Sequence, residues 1–247
     1  MLTAASAQTP PAAPVAPLPM PFSKSCQSGS AALARESPLP NVAAALKRRK
    51  SLRILSMGAA PGRVGPGGDY SDLIESMLES ALKGIDVTVI NRGISGELAA
   101  DAAVRMKNEV ALEEPDLVLW QVGTNDALAY VPVAGFAAAV KDQIEWLKAH
   151  KVDVVLVGLQ FAPEMLRDAH YRAIRAALRR VAAQENVVVV RFYEAMQMLK
   201  KAEETGHPVA LQFEGSEEGY DCLAQYVARS ITLGIFAKNI PRRPVAK

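Results

Sequence analysis

Apolar residues along this chain fall into two rhythms. Short, nearly unbroken runs rich in Val, Ile and Leu occur at Arg53–Met57, Val87–Asn91, Asp116–Gln121, Val152–Leu159 and Val187–Arg191. Runs this short and apolar on both faces predict parallel strands covered by helices on either side. Between them, apolar positions recur three and four apart. Leu73, Ile74, Met77, Leu78 and Ala81 make one stripe, and Phe136, Val140, Ile144 and Leu147 a second. Ile174, Leu178 and Val181 lie within a predicted helix Asp168–Gln184, and Tyr220, Leu223, Ala224, Val227 and Ile231 form the last stripe. That helix has Ser216 as a cap and Glu217 and Glu218 suiting its positive end. A short helix over Pro38–Lys50 is expected to be capped by Asn41 and to end in the basic run Lys47, Arg48, Arg49, Lys50. Stripes of this kind are core-facing by default. Strand–helix alternation predicts an α/β fold: a doubly wound, five-stranded parallel sheet sandwiched by helices, with right-handed crossovers. The 247 residues suffice for one such domain over residues 38–247, after a leader over residues 1–37.

The leader changes the picture most. Residues 8–24 are rich in Pro, Ala and Ser and read as a flexible or polyproline-like segment. Ala5-Ser6-Ala7 before Gln8 has the small-residue pattern of a signal-peptidase site, but no charged and long apolar regions precede it. A shortened secretory signal and a plain Ala/Pro tail both fit. The first implies a periplasmic or secreted protein, the second a cytoplasmic one. Two cysteines, Cys26 and Cys222, would stay reduced in the cytosol and could pair after export. A net charge of +2 with scattered basic residues gives no strong pull on nucleic acid or an anionic membrane, and the Lys47–Lys50 run reads as a solvated helix end. No apolar run approaches the ~20 residues of a transmembrane helix.

In a doubly wound sheet, ligands bind at the carboxyl ends of the strands. The loop after the first strand holds Gly58, Gly62, Gly65, Gly67 and Gly68, yet has neither G-x-G-x-x-G spacing nor Gly-Lys-Ser/Thr, and Pro61 and Pro66 remove amides that a phosphate would need. His150, His170 and His207 lie apart, without Cys or carboxylate neighbours at ligand spacing. No cofactor or metal is expected.

Three segments are more specific. The second strand ends in INRGISGE (residues 90–97), the third in LWQVGTNDA (119–127), and LQFEGSEEGYDCLAQYVA (211–228) leads into the last helix. In this order and spacing they resemble the SGNH/GDSL hydrolase superfamily, over roughly Leu52 to Ile235. The resemblance implies a serine nucleophile in the first block, an oxyanion-hole amide from a glycine of the second, a side-chain amide from the asparagine of G-x-N-D, and Asp-x-x-His before the last helix. Carried over, the second block places its glycine at Gly93 and the third its asparagine at Asn125, with Gly123, Thr124 and Asp126 around it. Gly58 matches the first glycine, Ala59 follows, and Ala60 falls at the nucleophile. With Gly219-Tyr220 fixing the register, Leu211 falls at the aspartate and Glu214 at the histidine. All three triad positions are substituted.

Alanine has no oxygen to attack a carbonyl, and a serine hydrolase without its triad retains only about 10³–10⁴-fold over water. Ser56, Ser71, Ser95 and His207 have no partner at the family's spacing. The expectation is therefore a pseudo-hydrolase whose pocket binds an acyl- or sugar-ester-like ligand. Two alternatives stand beside it. One is an active esterase in which Glu214 serves as base to a water in the space left at Ala60. The other is a cell-envelope interaction module with an unknown protein partner. Gly93 and Asn125 also have structural uses, in a tight turn and in loop hydrogen bonds.

Overall fold

The structure, a computed structural model, describes residues 22–23, 26, 37–58, 70–190, 193–194, 196–197 and 217–237. Five strands form the sheet: β1 (Ser51–Gly58), β2 (Asp86–Asn91), β3 (Leu117–Gln121), β4 (Asp153–Val157) and β5 (Val188–Val190). All pair in parallel, in the order β2-β1-β3-β4-β5. The α/β doubly wound sheet expected from the sequence is the fold observed. Side chains alternate between its faces as the pleat requires. Leu55, Met57, Val118, Trp120, Val154 and Leu156 pack on one side, and Ile54, Leu117, Leu119, Val155 and Val157 on the other.

Helices α3 (Ala99–Glu113), α5 (Val133–Ala149) and α6 (Ala169–Gln184) cover the first face. Helices α1 (Pro40–Arg48), α2 (Tyr70–Ala81) and α7 (Glu217–Phe236) cover the second. A short α4 (Thr124–Leu128) follows β3, and a 3₁₀ turn (Pro163–Arg167) precedes α6. The four apolar stripes lie on α2, α5, α6 and α7. The α3 stripe of Ala99, Ala102, Met106 and Val110 is broken by charged residues and is weaker in the sequence.

One expected cap is different. Leu39, not Asn41, precedes α1 and makes no side-chain cap. Asn41 lies inside the first turn, and its backbone and side-chain amides donate to Asp153 at 2.9 and 2.8 Å, while the Val42 amide donates at 3.0 Å. A carboxylate at the start of β4 thus satisfies the helix's free amides, which a local cap would otherwise do. Ser216 lies outside the described residues. Arg49 of the basic run pairs with Asp116, and Arg53 with Glu113 at 3.2 Å.

Cys26 and Cys222 form a disulfide. Around it, Phe22 packs on Tyr226 with ring centroids 4.4 Å apart, Arg229 sits over Phe22, and Tyr226 Oη donates to the Cys26 carbonyl at 3.2 Å. Among the described residues, no helix is long and apolar enough to cross a membrane.

Candidate active site

The sheet order reverses between β1 and β3, so the crevice at their carboxyl ends is where a doubly wound sheet exposes loop groups to a ligand. Gly58 ends β1 with φ +88°, and a Cβ there would lie 1.9 Å from the Gln121 carbonyl oxygen. Only glycine lets β1 and β3 approach this closely. The Gly58 carbonyl accepts from the Ile94 amide at 3.0 Å, which pins the β2–α3 loop to the end of β1.

That loop carries NRGISGE. The Gly93 amide donates to Asn91 Oδ1 at 2.9 Å, closing a turn onto its own strand. Gly93 is therefore engaged within the loop. Gly96 differs. It is exposed with φ +81°, no atom lies within 4 Å of where a Cβ would stand, and its amide has no partner among the described residues.

After β3, Gly123 (φ +107°) turns the chain into α4, close under Leu159. Each polar residue that follows fastens a different segment. Thr124 Oγ1 accepts from the Gln160 amide at 3.0 Å, tying α4 to the exit of β4. Asn125 Nδ2 donates to the Glu97 carbonyl at 3.0 Å, and one of its two N–H groups is left over. Asp126 Oδ1 accepts from the Ala99 amide at 3.0 Å, at the start of α3, and Oδ2 has no hydrogen-bond partner among the described residues. Burial raises the Asp126 carboxyl above its ordinary range, against the lowering effect of the amides it accepts from.

Glu97 is held from its other end. Arg105 grips its carboxylate with two hydrogen bonds, at 2.8 and 2.7 Å, and the Glu97 side chain is almost buried. This pairing raises the Arg105 pKa. Arg105 continues to Glu109 at 3.4 Å, and Glu109 to Arg92 at 3.2 Å. Next to these loops a cleft of about 420 Å³ opens at the ends of β3 and β4, bounded on its far side by the first turns of α7.

Gly58, Gly93, Gly123, Thr124, Asn125 and Asp126 are thus brought to one end of the sheet. Ala59, Ala60, His207, Leu211 and Glu214 lie outside the described residues. Ser56 is buried within β1, Ser71 is buried in the first turn of α2, and Ser95 is exposed in the β2–α3 turn. His170 is half-buried against Tyr130, with ring centroids 5.0 Å apart. Sequence reasoning passed over Gly96, Glu97 and Arg105. The second glycine of NRGISGE was a usable signal. No spacing rule connects Glu97 in a loop with Arg105 on the helix after it.

A model of the non-GDSL lipase-like family matches residues 25–236. Esterase TesA of Pseudomonas aeruginosa is 30% identical over 129 residues, covering 51% of this chain and 64% of the relative. An arylesterase of Vibrio mimicus is 33% identical over 90 residues, 36% of this chain and 45% of the relative. The matched region thus spans less than two thirds of either relative. Among solved structures, a lipase/acylhydrolase from Enterococcus faecalis superposes with a TM-score of 0.60 at 25% identity, covering 73% of this chain and 95% of that one. With the matched region taking in the whole sheet and every loop of the site, the chain belongs to the non-GDSL lipase-like family, within the SGNH/GDSL hydrolase-like superfamily.

Proposed function

We propose that this protein recognises carboxylic esters with the oxyanion-binding half of a hydrolase site and has lost covalent catalysis. The observation that carries the proposal is the posture of Asn125. One amide N–H is fixed on the Glu97 carbonyl, and the second remains for a ligand oxygen. Gly93 is engaged by Asn91, so the second, backbone donor is assigned to Gly96, whose amide has no partner among the described residues. Such preset donors stabilise developing negative charge, each contributing about 10²–10³ in rate where a reaction occurs. With Ala60, Leu211 and Glu214 at the triad positions, no serine–histidine relay is available. The ligand is then an ester or another polarised carbonyl compound, bound without transferring its acyl group to the protein.

A second reading is supported by the relatives, both named as esterases. In it, Glu214 serves as base to an attacking water, and Asn125 and Gly96 hold the oxyanion. Hydrolysis of short-chain p-nitrophenyl esters by wild type and Asn125→Ala in parallel separates the two. The pseudo-hydrolase reading expects equal, background rates. Turnover that Asn125→Ala lowers by about 10²-fold or more overturns it and makes Glu214 the next residue to replace. The Cys26–Cys222 disulfide supports a periplasmic or secreted location, since such bonds persist in oxidising compartments.

A further inference from the structure

Among the described strands, β2 lies at one end of the sheet, with β1 beside it. Its even-numbered residues turn their amides inward. Asp86 donates to the Lys50 carbonyl and Arg92 to the Ser56 carbonyl, both at 2.9 Å. Alternation along the strand then turns Val87, Val89 and Asn91 outward, where an edge strand presents donors and acceptors to any further strand. Two carboxylates of α2 stand at that edge. Glu75 Oε2 accepts from the Val89 amide at 2.9 Å, and Glu79 Oε1 from the Val87 amide at 3.3 Å. The two spacings match. Four residues of helix rise about 6 Å and two residues of strand about 6.6 Å, so glutamates one turn apart on a helix antiparallel to β2 meet alternate amides of the strand. Like charges at this spacing disfavour an isolated helix, and the two edge amides offset that cost.

Independently of the ester-recognition reading, we propose that the outer edge of β2 is a strand-pairing surface for a second copy of this chain, and that Glu75 and Glu79 hold it shut. The strand is complementary to itself. A twofold axis through Val89 pairs β2 antiparallel with its copy, Val89 opposite Val89 and Val87 opposite Asn91, so that each outward residue exchanges amide and carbonyl with its opposite. In that register Asp86 of each copy stands opposite Arg92 of the other, and Thr88 opposite Ile90, on the face of the sheet that carries α3. Asp86 and Thr88 are exposed, and the Arg92 side chain is 45% exposed while it pairs with Glu109 and Glu113. An unrelated extended peptide lacks these two charge pairs. With Glu75 and Glu79 on the edge amides, an incoming strand finds its donors at Val87 and Val89 taken and two negative charges in the way of its carbonyls.

Sedimentation equilibrium of the full chain over a wide concentration range tests this. Wild type should stay monomeric. Glu75→Ala with Glu79→Ala, at helix positions where alanine is well tolerated, should tighten self-association by about tenfold or more. Adding Asp86→Lys should weaken that dimer about tenfold, because the pair with Arg92 occurs twice across the axis. Glu75→Gln with Glu79→Gln keeps an acceptor on each amide and should stay monomeric. An alanine pair that remains monomeric, a dimer indifferent to Asp86→Lys, or a glutamine pair that dimerises as strongly as the alanine pair would overturn the proposal. A labelled peptide of residues 85–92 should bind the alanine pair more tightly than a scrambled peptide of the same composition. Equal binding of both would open the edge to any extended strand and overturn self-recognition. Amide exchange in wild type needs no substitution. The Val87 and Val89 amides should exchange as slowly as those of Thr88 and Ile90, and fast exchange of both would show that the glutamates do not close the edge.

Discussion

At the scale of single residues, the site is built from positions where one atom more or less changes the outcome. Gly58 has a left-handed backbone and would drive a Cβ into the Gln121 carbonyl. Gly58→Ala should lower unfolding stability by roughly 2–4 kcal/mol, from backbone strain plus displacement of a paired strand. Denaturant titration measures it, and a loss under 1 kcal/mol (about fivefold in the folding equilibrium) would show that β1 and β3 separate easily here. Arg105 acts at a distance. It holds the carboxylate of the residue whose carbonyl orients Asn125. Removing it leaves a nearly buried carboxylate unpaired, so Arg105→Ala should cost about 1–3 kcal/mol. Adding Glu97→Gln to that variant should recover part of the loss, because the charge left without a partner is then gone. If the double variant is no more stable than the single one, the bond to Arg105 is not what keeps Glu97 in place.

At the scale of elements, the G-T-N-D turn works as a fastener between three loops. Thr124 reaches the exit of β4, Asn125 reaches Glu97, and Asp126 reaches the first amide of α3. A carboxylate facing the amides at a helix start is electrostatically favoured, but burial raises the Asp126 pKa and burial is the larger influence. The folded state therefore holds this proton more tightly than the unfolded chain does. Stability from this group falls as pH rises from the ordinary carboxylate value of 3.8 through the raised folded value, and returns on acidification. Asp126→Asn keeps an acceptor for the Ala99 amide and removes the titration. The stability of wild type relative to Asp126→Asn should then increase as pH is lowered from 7 toward 4 in urea melts. An opposite trend would mean that the amide bonds, not burial, govern Asp126. Asp153 is raised by the same cause while its oxygens serve α1, so a Asp153→Asn control separates the two sites.

At the scale of the whole molecule, the Cys26–Cys222 bond ties the segment before the sheet to α7, across 196 residues of sequence. Closing so long a loop removes much freedom from the unfolded chain, and such a bond contributes about 2–5 kcal/mol. Reduction, or Cys26→Ser with Cys222→Ser, should lower the unfolding free energy by that amount, read as an earlier midpoint in denaturant titration. The bond also bears on the site. Cys222 stands beside Leu223, which lines the cleft, and Phe22, Tyr226 and Arg229 stack together on the same helix. An unchanged midpoint on reduction would mean that this packing alone holds Phe22 and Cys26 on α7.

Apolar periodicity by itself determined the fold class, all five strands and four of the principal helices, because a parallel sheet buried on both faces needs runs such as Val154–Val157 whatever its function. The motifs NRGISGE and GTND were also legible, since tight turns at strand ends need Gly, Asn and Asp in fixed order. Boundaries were less so: β4 ends at Val157 rather than Leu159, and Asn41 bonds to Asp153 instead of capping its own helix. Only the tertiary structure separated the two glycines of NRGISGE: the sequence pointed to Gly93, but Asn91 folds back onto the Gly93 amide and leaves the Gly96 amide without a partner among the described residues. It also decided that Arg105 supports Asn125 through Glu97, and that residues from β3, β4 and α7 enclose one apolar cleft. Such contacts join residues far apart along the chain, and local pattern carries no record of which distant side chain will be opposite.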